Sequence, residues 1–180
     1  MDAQATLAAW IAAEEQQRAR LDQGAGVGLA TRERVAGIDG LALMHGMLRG
    51  ELPGAPIGRA MDFLLVEVER GRAVFQGRPG PAFANPMGGL HGGWYATLLD
   101  SALGCAVHTM MPAGRAYTTA ELSVNFVRAI GAKVQRVRAV GQVLHCGRQL
   151  ATAEAKLVGP DGTLYAHGTT TCLVFDLPPG

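Results

Sequence analysis

Charge is scarce in this chain and leans neither way. Asp, Glu, Lys and Arg make up 17% of the 180 residues, and 16 basic side chains face 15 acidic ones, for a formal net charge of +1. That balance argues against nucleic acid or an anionic membrane as the main partner, so an anionic ligand would have to be met by local basic residues. Cysteine is scarce too. Cys105, Cys146 and Cys172 are odd in number, widely spaced and without a C-x-x-C, which predicts free thiols in a reducing, cytoplasmic compartment. The opening stretch, MDAQATLAAWIAAEEQQRAR, lacks the basic and apolar regions of a signal peptide. The longest charge-poor stretch, Trp94 to Met111, is long enough to cross a membrane, but it contains Asp100 and Gly104 and strand-like segments surround it. It reads as a buried core helix. Catalytic signatures are missing as well: there is no G-x-S-x-G, no Walker-type loop and no G-x-G-x-x-G before a helix. His45, His108, His145 and His167 show no metal-ligand spacing, so no metal or cofactor is expected.

What is present is a globular composition, 48% hydrophobic, in a length that suits one domain with an extension. Residues 3–22 read as a helix with only a partial apolar stripe of Leu7, Ile11 and Leu21. A break at Gly24, Gly26 and Gly28 follows, then a second helix over 39–49 with Asp39 as N-cap, then Gly50, Pro53, Gly54 and Pro56. Residues 1–57 are therefore expected to form a helical extension, and 58–177 the main domain. Near residue 61 the periodicity changes to two. MDFLLVEVE and RAVFQ read as a hairpin, followed by a Gly- and Pro-rich loop, the apolar helix at about 93–110, and four strands ending with Leu164–Phe175. Short turns make the late strands antiparallel. The predicted fold class is α+β, a curved antiparallel sheet burying one long helix.

Residues 85–100, NPMGGLHGGWYATLLD, carry the chemistry. Asn85 lies in a loop, His91-Gly92-Gly93 at a helix start, and Asp100 inside the helix. Free N–H groups at a helix start can receive a carbonyl oxygen that gains negative charge, and Asn85 can add a donor. A carboxylate can activate water or attack a carbonyl carbon. Asp100 is the lone formal charge among the 18 residues from Trp94 to Met111, and a buried lone carboxylate is costly unless it is paired or hydrogen-bonded. It is either a catalytic group or a core hydrogen-bond lock. His91 is likewise either a proton-transfer group or a loop-fixing cap. Nine residues of helix separate His91 from Asp100, about 13 Å and two and a half turns. One chain can hardly bring both onto one ligand atom, so a shared reaction calls for a second subunit and a homo-oligomer, a dimer or a tetramer.

The stretch from about Gly58 to Phe175 resembles the phenylacetic-acid-degradation-type (PaaI) thioesterases, a hotdog-fold family. The matching pieces are N-P-M-G-G-L-H-G-G-W from Asn85, T-L-L-D-S-A-L-G from Thr97, T-T-A-E-L-S-V-N-F-V-R from Thr118 and H-C-G-R from His145. The resemblance implies hydrolysis of acyl-coenzyme A thioesters. Asn85 and the Gly92 amide would polarise the thioester carbonyl, with Gly93 beside them against the substrate. His91 would shape the pocket, and Asp100 of the partner subunit would act as nucleophile or general base. Thr119 matches a position where the family often has a hydroxyl that places the water, and Arg128, Gly147 and Arg148 fall where the family contacts coenzyme A. Strand alternation sets Thr119 on the face opposite Leu122, so either a bulge or Thr118 presents the hydroxyl. The family's usual proline after the arginine is Ala129 here. Two other readings use the same features: a hotdog hydratase or dehydratase, and a non-catalytic acyl-CoA-binding protein. The first is disfavoured by the Gly-Gly after His91 and the helix-borne Asp100. The second is disfavoured by the absence of a basic recognition helix in residues 1–57 and by the presence of both Asn85 and Asp100.

Overall fold

The computed structural model describes residues 2–35 and 37–177. Helices α1 (Ala3–Gln23), α2 (Arg32–Val35), α3 (Gly40–Leu48) and α4 (Pro56–Ala60) precede strands β1 (Phe63–Glu69) and β2 (Arg72–Gly77). After a 3-10 turn at Pro81–Phe83 come helix α5 (Gly92–His108) and strands β3 (Arg115–Phe126), β4 (Val137–Cys146), β5 (Leu150–Val158) and β6 (Leu164–Asp176). The predicted helices and the order of two strands, helix and four strands are all present. Two short helices are additional: α2 lies between the break at Gly24–Gly28 and α3, and α4 starts at Pro56, where the second break ends, so that the expected boundary after residue 57 falls inside it.

All six strands form one antiparallel sheet in the order β1-β2-β4-β5-β6-β3, wrapped around α5, which packs against every strand. Alternation in β5 explains the fit: Ala151, Ala153, Ala155 and Leu157 are buried, while Leu150, Glu154 and Lys156 are exposed. Small inward residues let the helix lie close. At Gly141 of β4 an added Cβ would sit 2.2 Å from the Ala102 carbonyl oxygen of α5, so only glycine permits the contact. The helix in return buries Trp94, Leu98, Leu99, Leu103 and Val107 almost completely. Each such side chain contributes roughly 1.5–3 kcal/mol. Among the described residues no helix is long and apolar enough to cross a membrane.

The sheet is open between its edge strands β1 and β3, and the N-terminal segment occupies part of that opening. Asp39 caps α3 by accepting from the Ala42 amide at 2.8 Å, as the sequence predicts, and α3 packs on β1 and α5. Helix α1 is held differently. Its weak apolar stripe is replaced by polar residues pressed onto the protein: Glu14 and Gln17 are buried. Glu14 pairs with Arg18, Arg78 and Arg136 and accepts from Gln76 of β2, while the Arg138 guanidinium lies 4.5 Å from the Trp10 ring. Burial pushes the Glu14 carboxyl up, but the hydrogen bonds from Arg18, Gln76 and Arg136 outweigh it and hold the group below its ordinary value.

Candidate functional site

The site begins with the loop that leads into α5. Asn85 turns its side-chain oxygen back to accept from the Met87 and Gly89 amides at 2.9 and 3.1 Å. That fixes the amide orientation and leaves the NH₂ group, two donors, without a partner among the described residues. His91 is the N-cap of α5: its Nδ1 accepts from the Gly93 amide at 2.8 Å, and its own amide donates to the Phe83 carbonyl. Accepting at Nδ1 places the proton of the neutral ring on Nε2. An added Cβ at Gly93 would lie 3.0 Å from His91 Nδ1, so this glycine makes room for the cap. The Gly93 amide is thereby occupied. Among the described residues no acceptor claims the Gly92 amide, which stands at the positive end of the helix beside the Phe126 ring.

Asp100 lies on the side of α5 away from that cap. Nine residues give about 900° of helical rotation, so the two positions face opposite ways. Within one chain the structure does not bring His91 and Asp100 together. Asp100 is also not sunk in the core: its side of α5 is half-exposed, while the buried side carries Leu98, Leu99 and Leu103. The helix is a core helix as expected, and Asp100 stands on its half-exposed side because the sheet is open there.

Across that opening Asp100 Oδ1 accepts from Thr119 Oγ1 at 3.2 Å. Strict alternation would have turned Thr119 away. The β3–β6 register shifts between Thr119 and Glu121, so Ala120 is an extra residue. The bulge puts Thr119 on the same inward side as Val124 and Phe126, whose ring meets Tyr95 of α5. Thr119, not Thr118, therefore faces the carboxylate. Both groups line a cavity of about 420 Å³, together with Ser101, Gly104, Cys105 and Tyr117. Burial, with the Asp100 charge adding to it, pushes the Cys105 thiol up to about 12, so it is no thiolate nucleophile at neutral pH. Residues from α1, α3 and α4 build part of its wall, so the cavity is assembled from segments far apart in the chain.

Arg128 and Arg148 are exposed and enter no ion pair among the described residues. They stand apart. Arg128 follows β3 near the start of α5, its amide donating to the Tyr165 carbonyl. Arg148 caps the β4–β5 turn, closed by the bond from the Gly147 amide to the Leu150 carbonyl, and its own carbonyl accepts from Arg115 at the opening of β3. That end of β3 lies by the far end of α5, where Tyr117 meets His108.

Residues 87–166 match the family model of the thioesterase superfamily. A solved structure of a protein from that superfamily is 30% identical, covers 66% of this chain and 88% of its own, and superposes with a TM-score of 0.56. The chain belongs to the thioesterase superfamily. A mutant of the phenylacetic acid degradation protein PaaI from Thermus thermophilus is 27% identical over 66% of this chain and 97% of its own, with a TM-score of 0.60. A Bacillus halodurans protein solved with coenzyme A is 34% identical over 57% of this chain and 66% of its own, with a TM-score of 0.52. No curated protein sequence matches. The PaaI-type resemblance read from residues 85–128 and 145–148 thus holds, and the superfamily's curved sheet around one helix is the fold seen here. Thioester hydrolysis is the general chemistry that this membership carries.

Proposed function

We propose that the protein hydrolyses acyl-coenzyme A thioesters to the free acid and coenzyme A, at sites shared between two subunits. The observation that carries this reading is the Asp100–Thr119 pair on the wall of an apolar cavity. A carboxylate held by one hydroxyl, beside a space for an apolar group, is equipped to act on an acyl carbon. In the general-base route Asp100 takes a proton from water as the water oxygen bonds to the carbonyl carbon. The C–S bond then breaks and the thiolate leaves as coenzyme A, receiving a proton. In the nucleophilic route the carboxylate oxygen bonds to the carbonyl carbon, the C–S bond breaks and the thiolate leaves as the mixed anhydride forms, and water then opens the anhydride to the free acid and the Asp100 carboxylate. Thr119 orients Asp100 or the water in either case. The Gly92 amide and the Asn85 NH₂ of the partner subunit take up the charge growing on the carbonyl oxygen, and His91 holds that helix start in shape.

Two features favour a subunit interface. His91 and Asp100 face opposite ways on α5, and β3 is a twelve-residue edge strand with Leu122 and Phe126 exposed, the kind of edge that invites pairing. An antiparallel approach of two α5 helices would set one chain's helix start against the other's Asp100. It would also bring that start toward the end of the molecule where Arg148 and Gly147 stand. There, and at Arg128, the phosphates of coenzyme A would find cations free of carboxylate partners. The Bacillus halodurans relative solved with coenzyme A supports this ligand. The extent of residues 1–57 as an extension and a reducing, cytoplasmic setting belong to the same proposal. The test is thiol release from a panel of acyl- and aryl-CoA thioesters by the wild type and by Asp100→Asn. Turnover by the wild type that falls a hundredfold or more in a folded variant is expected. Equal turnover by both would remove Asp100 from the chemistry, and no release from any thioester would defeat the reading.

A further inference from the structure

The cavity beside Asp100 has a second wall that the superfamily motif does not reach. Opposite α5 and β3 it is lined by Phe63, Leu65 and Phe75 of the first hairpin, and its outer side is bounded, though not sealed, by the N-terminal segment: Leu21 of α1, Val27, Met47 of α3 and Ile57 of α4. This wall is fixed in place. Gln17 donates to the Met47 carbonyl at 3.4 Å, Arg18 bonds Asp62 at 2.6 Å, and the Glu14 cluster pins α1 to β2. Of the charged side chains on the lining besides Asp100, Asp22 and Arg59 are exposed and Arg18 is paired with Glu14 and Asp62. None waits, buried and unpaired, for a charged ligand.

We infer that the cavity is the acyl-chain pocket of this protein, that residues 1–57 supply its outer wall, and that Leu21, Met47 and Ile57 in that wall set the length of a straight, apolar acyl group of medium length. This rests on the reading of Asp100 as the group that acts on the thioester carbon. With the carbon at Asp100, the part of the substrate in the cavity is either the acyl chain or coenzyme A. Coenzyme A is polyanionic, and the lining offers it apolar walls and no free buried cation. It also carries several times more atoms than the space admits. At about 30 Å³ for a water-sized group, 420 Å³ corresponds to roughly fourteen such groups. Imperfect filling brings this to an acyl chain of roughly eight to twelve carbons. A phenylacetyl group would leave much of the volume empty.

The test measures binding without turnover, using non-hydrolysable thioether analogues of acyl-CoA from two to sixteen carbons. In the wild type the dissociation constant should fall about threefold to fourfold per added methylene, then level off near ten carbons. Met47→Trp fills the outer wall and should bring the plateau about two carbons earlier. Met47→Ala, which is milder for folding, should delay it. An unchanged plateau in variants with wild-type melting temperatures would overturn the assignment of this wall, as would affinity independent of chain length in the wild type. Because no hydrolysis is read, failure here is distinct from failure to release thiol in the hydrolysis panel.

Discussion

Asp100 and Thr119 meet because β3 carries one residue more than its partner. Without the bulge at Ala120 the hydroxyl would point to the outer face of the sheet, and the carboxylate would lose its one side-chain partner among the described residues. Sequence pattern left Thr118 and Thr119 open, since a bulge has no residue signature of its own here, whereas Asp100 stood out as the lone charge on an apolar helix. That the Gly93 amide is taken up by the His91 ring was equally hidden, because it depends on how the ring is turned. If Thr119 positions the carboxylate or the water, Thr119→Val should lower kcat about tenfold or more with KM nearly constant, and Thr119→Ser should restore most of it. Equal kcat in wild type and valine variant would assign the hydroxyl a packing role only.

At the scale of elements, α5 was legible and the placement of α1 was not. An eighteen-residue apolar stretch with a Gly-Gly start announces a core helix. A helix whose buried residues are Glu14 and Gln17 breaks the rule by which buried faces are read, since charged residues are seldom fully buried unless paired. Arg18, one turn along α1, supplies part of the pairing, but Arg78, Arg136 and Gln76 are remote in sequence and cannot be seen from α1 itself. Glu14→Gln keeps the shape but leaves Arg78 and Arg136 without their carboxylate, while Arg18 retains Asp62, so it should cost about 3 kcal/mol of stability. The pH dependence has a definite sign. The folded carboxyl sits below its ordinary value, so its contribution is complete above that value and is lost as the pH falls through the folded one. Melting temperatures from pH 7 to pH 3 should therefore drop more steeply in the wild type than in Glu14→Gln. Parallel curves would show that the cluster contributes nothing to holding α1.

For the whole molecule, the sheet's order and curvature follow from alternating strands, short turns and one helix needing cover, and these were readable. What the pattern could not supply is the open side between β1 and β3. There the exposed edge of β3, the half-exposed Asp100 and the N-terminal wall come together from segments far apart in the chain. The central claim is that each site takes Asp100 from one subunit and Asn85 with the Gly92 amide from the other. Co-refolding Asp100→Asn with Asn85→Ala tests it. Each variant alone should be nearly inactive. Random pairing makes half the dimers mixed, each with one intact site and one doubly impaired, so about a quarter of wild-type activity should return. Mixed dimers isolated by two different affinity tags and showing no gain over the parent variants would contradict the account, since both groups would then act from the same chain.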